Sequence, residues 1–142
     1  MGKKRIVKKG GEGESSKTGG SSRTSRRKMD SGIVYVEATY NNTKMCLADT
    51  SGNVVLWSSS GSLGFSGAKK GTPFAAAKVG ELLGEKASDM GVKEVSVVIA
   101  GVGAGRESSV RAFSGKGIAI TSIKDRTPVP HNGPRPKKAR RV

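Results

Sequence analysis

The chain has 142 residues and a net charge of +15, which suits a single domain that needs a partner of opposite charge. No apolar run approaches the ~20 residues that span a bilayer, and no secretory signal follows the basic first residues. The single cysteine, Cys46, excludes an internal disulfide and a cysteine-cluster zinc site. We therefore expect a soluble, cytoplasmic protein that binds no membrane, metal or cofactor.

The charge lies mainly at the two ends of the chain. Residues 1–31 carry +7, residues 32–123 carry +2 and residues 124–142 carry +6, while all six aromatic residues lie in the middle segment. Only the middle can bury enough apolar surface to offset the entropy of ordering. The sequence therefore predicts three parts: a basic Gly/Ser-rich extension over 1–31, a globular domain over 32–124 and an extended Pro-rich basic tail over 125–142.

The N-terminal extension is predicted to be an RNA-binding arm. Its densest basic run stands immediately before the domain, and a second basic segment lies at the other end of the chain. Such a run is most often a solvated linker, but its position here favours binding through Arg23, Arg26, Arg27 and Lys28.

Three strands are predicted at the start of the domain. Residues 33–40 are β-branched and aromatic, and Asn41 with Asn42 gives a tight-turn signal before a second strand over 43–48. A further turn leads into a third strand over 54–58. These segments predict an antiparallel meander.

The first helix is marked by its capping residues. A glycine-rich loop over 59–71 carries Lys69 and Lys70 side by side. Thr72 is a good N-cap, and the proline after it suits the first helical position because its missing N–H is unpaired there anyway. Gly91 marks the end of the helix.

The second half of the domain alternates strands and helices. Residues 95–100 form a nearly all-apolar strand, as expected at the centre of a sheet that is covered on both faces. A glycine turn over 101–105 leads into a short helix over 106–114, and a last strand covers 118–123. The order βββαβαβ predicts a three-layer α/β domain with a mixed five-stranded sheet.

The glycine turn before the second helix admits three interpretations. It partly matches the dinucleotide-binding fingerprint, but Arg106 stands where the third glycine belongs. The favoured interpretation is a backbone nest that includes Gly103 and Gly105 and binds an anion through its N–H groups. Arg106 and Arg111 would then hold a phosphate with their planar guanidinium groups. A purely structural glycine turn stays open as the alternative.

Catalytic chemistry finds little support in the sequence. The only histidine, His131, lies in the tail, where nothing holds it in a fixed geometry. A two-metal nuclease is the sharper enzyme alternative, but the acidic residues of the domain fall mostly in turns or on solvent faces, with mid-strand Glu37 as the exception. We expect no enzyme and no small-molecule substrate. Trp57 is expected to pack in the core, with stacking on a base as the alternative.

The C-terminal tail is the most informative segment. Its four prolines forbid helix or sheet and keep the chain extended, so its side chains can follow an RNA backbone. The predicted RNA-binding residues of the tail are Arg126, His131, Asn132, Arg135, Lys137, Lys138, Arg140 and Arg141.

The Asn132-Gly133 pair in the tail is predicted to rearrange to isoaspartate. The glycine N–H is sterically free to attack the asparagine side-chain amide, which gives a succinimide and then isoaspartate.

Four stretches resemble the bacterial type of small ribosomal subunit protein eleven. They are Y-N-N-T at 40–43, G-F-S-G-A-K-K-G-T-P-F-A-A at 64–76, G-V-G-A-G-R-E-S-S-V-R at 101–111 and the final eighteen residues, 125–142. The resemblance covers about residues 32–142. It implies a ribonuclease-H-like three-layer domain without nuclease activity.

The resemblance also implies a function. It indicates a structural constituent of the small ribosomal subunit that binds 16S rRNA on the platform, beside other platform proteins and near the exit site and the messenger leader path. A generic basic protein bound to DNA remains as a rival. The predicted RNA contacts of the domain are Asn41, Asn42, Lys69, Lys70, Thr72, Gly103, Gly105, Arg106 and Arg111.

Overall fold

A computed structural model describes residues 28–141, and the predicted order of strands and helices is confirmed. The arm residues Arg23, Arg26 and Arg27 lie outside the described residues. The elements are β1 (Ser31–Ala38), β2 (Thr43–Ala48), β3 (Val54–Ser59), a 3₁₀ turn (Gly67–Gly71), α1 (Pro73–Asp89), β4 (Glu94–Ala100), α2 (Gly105–Ser114) and β5 (Ala119–Asp125).

The five strands form one mixed sheet in the order β3-β2-β1-β4-β5. The pairs β1–β2 and β2–β3 are antiparallel, whereas β1–β4 and β4–β5 are parallel. Tight turns can join antiparallel neighbours, but parallel strands need a long crossover. Helices α1 and α2 supply the two crossovers, from β3 to β4 and from β4 to β5.

One face of the sheet carries the core. Along β1, Val34 and Val36 are buried whereas Tyr35 and Glu37 are exposed, because successive side chains of a strand point to opposite faces. The buried set joins apolar residues of both helices in one cluster. Its largest fully buried side chains are Phe113, Met45, Leu47 and Leu83.

Helices α1 and α2 contact each other closely on that face. A Cβ atom on Gly80 would lie 2.3 Å from the carbonyl oxygen of Ser109, and one on Gly84 would lie 2.8 Å from Cγ of Lys116. Real Cβ atoms do not approach a backbone oxygen so closely, so α1 needs glycine at position 80 to lie against α2. Gly84 leaves room for the side chain of Lys116, just beyond the end of α2.

The described residues form two layers rather than the predicted three. Both crossovers step in the same direction across the sheet, so the right-handed rule for parallel connections puts both helices on the same face. The prediction took the apolar β4 as a sign of cover on both sides, but Val98 on the other face is only half-buried. The expectation that Trp57 packs in the core is also wrong, because 68% of its surface is exposed.

The element ends follow local hydrogen bonds. Strand β1 stops at Ala38, two residues before the predicted end, because the N–H and hydroxyl of Thr39 both donate to the carbonyl of Asn42, at 2.8 and 3.1 Å. The predicted start of α1 is confirmed, and Gly91 beyond its end has a φ of +83°. None of the helices in residues 28–141 is long and apolar enough to cross a membrane.

Candidate nucleic-acid interface

Three connections and the tail converge at one end of the sheet. Strands β1, β3, β4 and β5 run in the same direction, so their carboxyl ends meet at one edge, where β2 also begins. We call this edge the loop end; it comprises residues 39–42, 60–71, 101–104 and 125–127. Of the nine domain residues predicted to contact RNA, five are brought together here with Arg126 of the tail: Asn41, Asn42, Lys69, Lys70 and Gly103.

The turn at 39–42 is closed by reciprocal hydrogen bonds. Thr39 donates its N–H to the carbonyl of Asn42, and Asn42 donates its own N–H to the hydroxyl of Thr39 at 3.1 Å. Asn41 at the tip is exposed. The side-chain oxygen of Asn42 is buried and has no hydrogen-bond partner within residues 28–141. The turn therefore presents one amide to solvent and leaves a second amide oxygen unpaired beneath it.

Lys69 and Lys70 lie on the 3₁₀ turn, directly beside the turn at 39–42. A Cβ atom on Gly71 would lie 2.1 Å from the carbonyl oxygen of Tyr40, so the two backbones touch at this point. Lys69 is exposed and Lys70 is half-buried. Neither forms an ion pair with another described residue, so both ammonium groups add positive charge to the loop end.

Thr72 has a structural task. Its hydroxyl donates to the carbonyl of Lys69 at 2.7 Å and accepts from the N–H of Ala75 at 3.3 Å. The hydroxyl thus caps α1 and ties the 3₁₀ turn to the helix. These bonds help to fix the position of Lys69 and Lys70, whereas the sequence predicted a direct RNA contact for Thr72.

The glycine turn at 101–104 packs on the end of β1. A Cβ atom on Gly101 would lie 2.1 Å from the carbonyl oxygen of Ala38, and one on Gly103 would lie 2.2 Å from that of Thr39. The N–H of Gly103 donates to the carbonyl of Ala38 at 2.8 Å. The structure therefore corrects the predicted nest: Gly103 has no free N–H for a phosphate, and the glycines allow close packing, which is the structural alternative.

Helix α2 starts at the loop end with Gly105. A Cβ atom there would lie 2.3 Å from Oγ1 of Thr43, so this glycine too is required for packing. No side chain caps the first turn of the helix, which leaves its partial positive charge at the loop end. Farther along α2, Arg111 is 79% exposed and pairs with Glu107 one turn before it, so it lies on the side of the domain.

Arg106 joins α2 to the base of the tail. Its guanidinium group donates to the carbonyl oxygen of Gly101, to a carboxylate oxygen of Asp125, and to the hydroxyl of Thr127 at 3.0 Å. These bonds occupy the planar fork that the sequence analysis assigned to a phosphate. We call Arg106, Asp125 and Thr127 the tail clamp, because together they fix where the tail leaves the sheet.

Asp125 is held as a carboxylate within the tail clamp. The hydroxyl of Thr127 donates to it at 2.6 Å and the N–H of Thr127 at 2.9 Å. These two bonds, followed by the bond from Arg106, lower the pKa of Asp125 to about 2. In addition, the N–H of Arg126 donates to the carbonyl of Ile99 at 2.8 Å, so backbone pairing continues one residue beyond β5.

The tail beyond the clamp is extended. Residues 128–141 form neither helix nor strand, as the prolines predicted. Arg135 donates to the side-chain oxygen of Asn132 at 3.4 Å, and Asn132 itself has a φ of +54°. The side chains of this segment that the sequence predicted to bind RNA are all exposed: His131, Asn132, Arg135, Lys137, Lys138, Arg140 and Arg141.

Charge is distributed unevenly between the two ends of the sheet. Within the described residues, the loop end holds Lys69, Lys70 and Arg126, and its one carboxylate, Asp125, is paired with Arg106. Glu107, in the first turn of α2 beside it, is paired with Arg111. The opposite end, where β1 and β4 begin and β2 and α1 end, holds four acidic side chains together with Lys28, Lys86 and Lys93. Its acids are Asp30, Asp49, Asp89 and Glu94. The loop end is therefore the more attractive end for a polyanion.

The acidic residues do not assemble a metal site. No group of three or more His, Cys, Asp or Glu side chains in residues 28–141 is close enough to hold a metal ion. Glu37, the exception singled out for a nuclease, is 59% exposed, and its carboxylate lies 3.9 Å from the ammonium of Lys44.

The tail clamp was not predicted from the sequence. Arg106 was expected to bind phosphate and Asp125 to belong to the tail, although an aspartate followed two residues later by threonine is a common local hydrogen-bonding pattern. The pairing with Arg106, nineteen residues earlier, depends on β5 lying beside β4. Only the strand order brings these side chains together.

Comparison with known proteins agrees with this architecture. The family model described as ribosomal protein S11 matches residues 32–141. The chain is 50% identical over 124 residues to small ribosomal subunit protein uS11 of Gloeobacter violaceus, which covers 87% of this chain and 95% of that protein. It is 47% identical over 129 residues to uS11 of Acaryochloris marina, which covers 91% and 98%. These matches span the whole domain and the tail, and the chain therefore belongs to the ribosomal protein S11 family.

Proposed function

We propose that this chain is a structural constituent of the small ribosomal subunit that binds small-subunit (16S) rRNA through its loop end and its basic tails. It supports translation and subunit assembly by this binding and performs no catalysis. The proposal joins the family membership to the distribution of charge in the fold.

The observation that carries the proposal is the convergence at the loop end. The turn at 39–42, the lysines of the 3₁₀ turn, the start of α2 and the base of the tail all lie at one edge of the sheet, while four carboxylates lie at the other. A polyanion is therefore attracted more strongly to the first edge than to the second. This polarity orients the domain on RNA before any specific contact forms.

The tail acts after the domain has docked. The clamp directs it away from the sheet, and its prolines keep it extended, so its cations can follow phosphates in a crevice of the RNA. Backbone contacts position a protein without reading sequence, so specificity comes from the shape of the RNA and from a few base contacts. The N-terminal arm with Arg23, Arg26, Arg27 and Lys28 adds a second set of phosphate contacts.

We infer the location within the ribosome from the resemblance. The chain occupies the platform, beside other platform proteins and near the exit site and the messenger RNA leader path. It works in the cytoplasm as part of the ribosome and needs neither a membrane nor a small-molecule substrate. If about eight phosphates are engaged, the slope of log affinity for free RNA against log salt is roughly −6 to −7.

Sedimentation of a cell lysate through a sucrose gradient tests the proposal. We expect the chain to travel with small subunits and to resist washing at moderate salt. Recovery of the chain at the top of the gradient, free of ribosomal particles, would overturn it.

A paired measurement separates rRNA binding from general affinity for nucleic acid. Full-length protein is titrated with small-subunit rRNA and with duplex DNA of equal phosphate content at the same salt concentration. We expect tighter binding to the rRNA, because the loop end and tail fit a folded surface. Equal affinity for both would instead favour a generic basic DNA-binding protein.

A further inference from the structure

The face of the sheet opposite the helices is uncovered in residues 28–141. Strand pairing puts a row of side chains across it: Trp57 on β3, Cys46 on β2, Tyr35 on β1, Val98 on β4 and Lys124 on β5. We call this row the open-face row. Trp57 has 68% of its surface exposed and Tyr35 has 36%, so two aromatic rings stand exposed on this face of the sheet.

We propose that this open face is a second RNA-binding surface, on which Trp57 and Tyr35 stack with unpaired bases of RNA. The proposal rests on the proposed function, because it names a further contact between this chain and small-subunit RNA. It differs in chemistry: the loop end and tails contact phosphates, whereas the open face contacts bases.

The two rings are far enough apart for each of them to stack on its own base. Neighbouring strands lie about 4.8 Å apart, so Trp57 and Tyr35, two strands apart, are separated by about 10 Å at the backbone. Cys46, a small side chain, lies between them and leaves room above it. Every base has a π-face, so two exposed rings on one sheet provide two stacking platforms for a single strand.

The charges around the row also favour RNA. Lys124 ends the open-face row at one edge, and Lys44 lies in the adjacent row, beside Glu37. Lys44 is 62% exposed, so its ammonium can reach a phosphate while the rings hold the bases. The net charge of these three side chains is positive, as an RNA strand requires.

The open face is continuous with the loop end. The row of Lys44, Glu37 and Ala100 lies between the open-face row and the carboxyl ends of the strands. Tyr35 lies on β1 only a few residues before the turn at 39–42. An RNA chain bound at that turn can therefore extend along β1 to the ring of Tyr35. The other occupants are less suited to the face: residues 1–27 contain few apolar side chains to cover it, and an apolar protein surface would bury the ammonium of Lys124 without supplying an anion to pair with it.

Fluorescence of Trp57 tests the proposal directly, because it is the only tryptophan of the chain. Full-length protein is titrated with small-subunit rRNA, with single-stranded oligoadenylate and with an RNA duplex of equal phosphate content. We expect quenching by rRNA and by oligoadenylate but not by the duplex, because only unpaired bases can stack on the ring.

Substitutions supply the second arm of the experiment. We expect Trp57→Ala to weaken binding of oligoadenylate roughly 5- to 140-fold, the effect of losing one stacked base, and Trp57→Phe to retain most of the affinity. Val54→Ala is the matched control, because Val54 is another exposed apolar residue of β3 and lies outside the open-face row. Both positions are exposed, and the thermal midpoint of each variant confirms that the fold is kept.

The outcomes separate this proposal from the proposed function. If wild-type protein binds rRNA but Trp57 is not quenched and Trp57→Ala binds oligoadenylate as wild type does, the base-stacking surface is refuted while the rRNA-binding function stands. If Trp57 fluorescence changes only in assembled subunits and never with RNA alone, a neighbouring protein covers the face and the proposal is overturned. Failure of wild-type protein to bind rRNA at all counts against the proposed function.

Discussion

Truncation of the chain after Thr127 should separate the contribution of the tail from that of the domain. The tail clamp stays intact, since Arg106, Asp125 and Thr127 remain, and the removed segment makes no helix or strand. We therefore expect the thermal midpoint to be unchanged. The truncation removes cations that are all exposed in the structure: Arg135, Lys137, Lys138, Arg140 and Arg141.

The size of the effect follows from counterion release. Each neutralised phosphate contributes about 0.7 to 0.9 to the salt slope, so losing the tail contacts reduces its magnitude by about 3.5 to 4.5. With a full-length slope of about −6.5, a fourfold rise in salt weakens binding about 8,000-fold, but a slope of about −2.5 weakens it only about 30-fold. The truncated chain should thus bind more weakly at low salt and depend far less on salt.

Fluorescence anisotropy with a labelled small-subunit rRNA fragment over a salt series measures both slopes. The control is the double variant Lys86→Gln, Lys93→Gln, which removes exposed cations from the end of the sheet opposite the loop end and should leave the slope close to that of wild type. An unchanged slope after truncation, or an equal reduction in the control, would refute the assignment of phosphate contacts to the tail.

Three further predictions concern the domain and its tail. The pKa of Asp125 in the folded protein is about 2, below the ordinary value of about 3.9, so its contribution to stability is complete above about pH 4 and is lost as the pH falls towards 2. Urea unfolding across this pH range should therefore show a steeper loss of stability in acid for wild type than for Asp125→Asn, and identical pH profiles would contradict the clamp. Gly80→Ala should lower the thermal midpoint, although alanine favours an exposed helix by about 1 kcal/mol, because its Cβ would lie 2.3 Å from the carbonyl of Ser109; a raised midpoint would show that the helices are not in such close contact. Peptide mapping of aged free protein should find isoaspartate at Asn132, and none in Asn132→Gln; only unmodified Asn132 would count against it.

Local signals in the sequence predicted most elements of the fold. Alternating apolar residues from Ile33 onward predicted β1, and Thr72 with the following proline predicted the start of α1, because both patterns act through the backbone of neighbouring residues. The glycine after α1, Gly91, is likewise a local requirement for a positive φ. These features need no knowledge of which strands are neighbours, so the sequence was sufficient for them.

The features that depend on strand order were not predictable in the same way. Whether β4 is covered on one face or two depends on the direction of both crossovers, and the apolar composition of Val95 to Ala100 does not reveal it. The same is true of Arg106, whose ionic partner Asp125 becomes a neighbour only when β5 pairs with β4. Trp57 was assigned to the core because so few aromatic residues were available, but β3 is an edge strand and its outward positions remain exposed.

The candidate interface contains both features that depend on neighbouring residues and features that depend on the order of the strands. The tail could be recognised from prolines and cations alone, and its exposed course agrees with that analysis. The role of Gly103 could not be predicted from the sequence, because a glycine that binds an anion and a glycine that lets two backbones touch look alike in a sequence. The hydrogen bond from Gly103 to Ala38 distinguishes them.

Directed cleavage of rRNA in assembled small subunits tests the central claim most directly. In a Cys46→Ser background, a hydroxyl-radical-generating iron chelate is attached at Lys69→Cys on the loop end or at Lys93→Cys on the opposite end. We expect strong, localised cleavage of 16S rRNA from Lys69→Cys and weak or no cleavage from Lys93→Cys. Equal cleavage from both positions, or stronger cleavage from Lys93→Cys, would contradict the claim that the loop end faces the RNA.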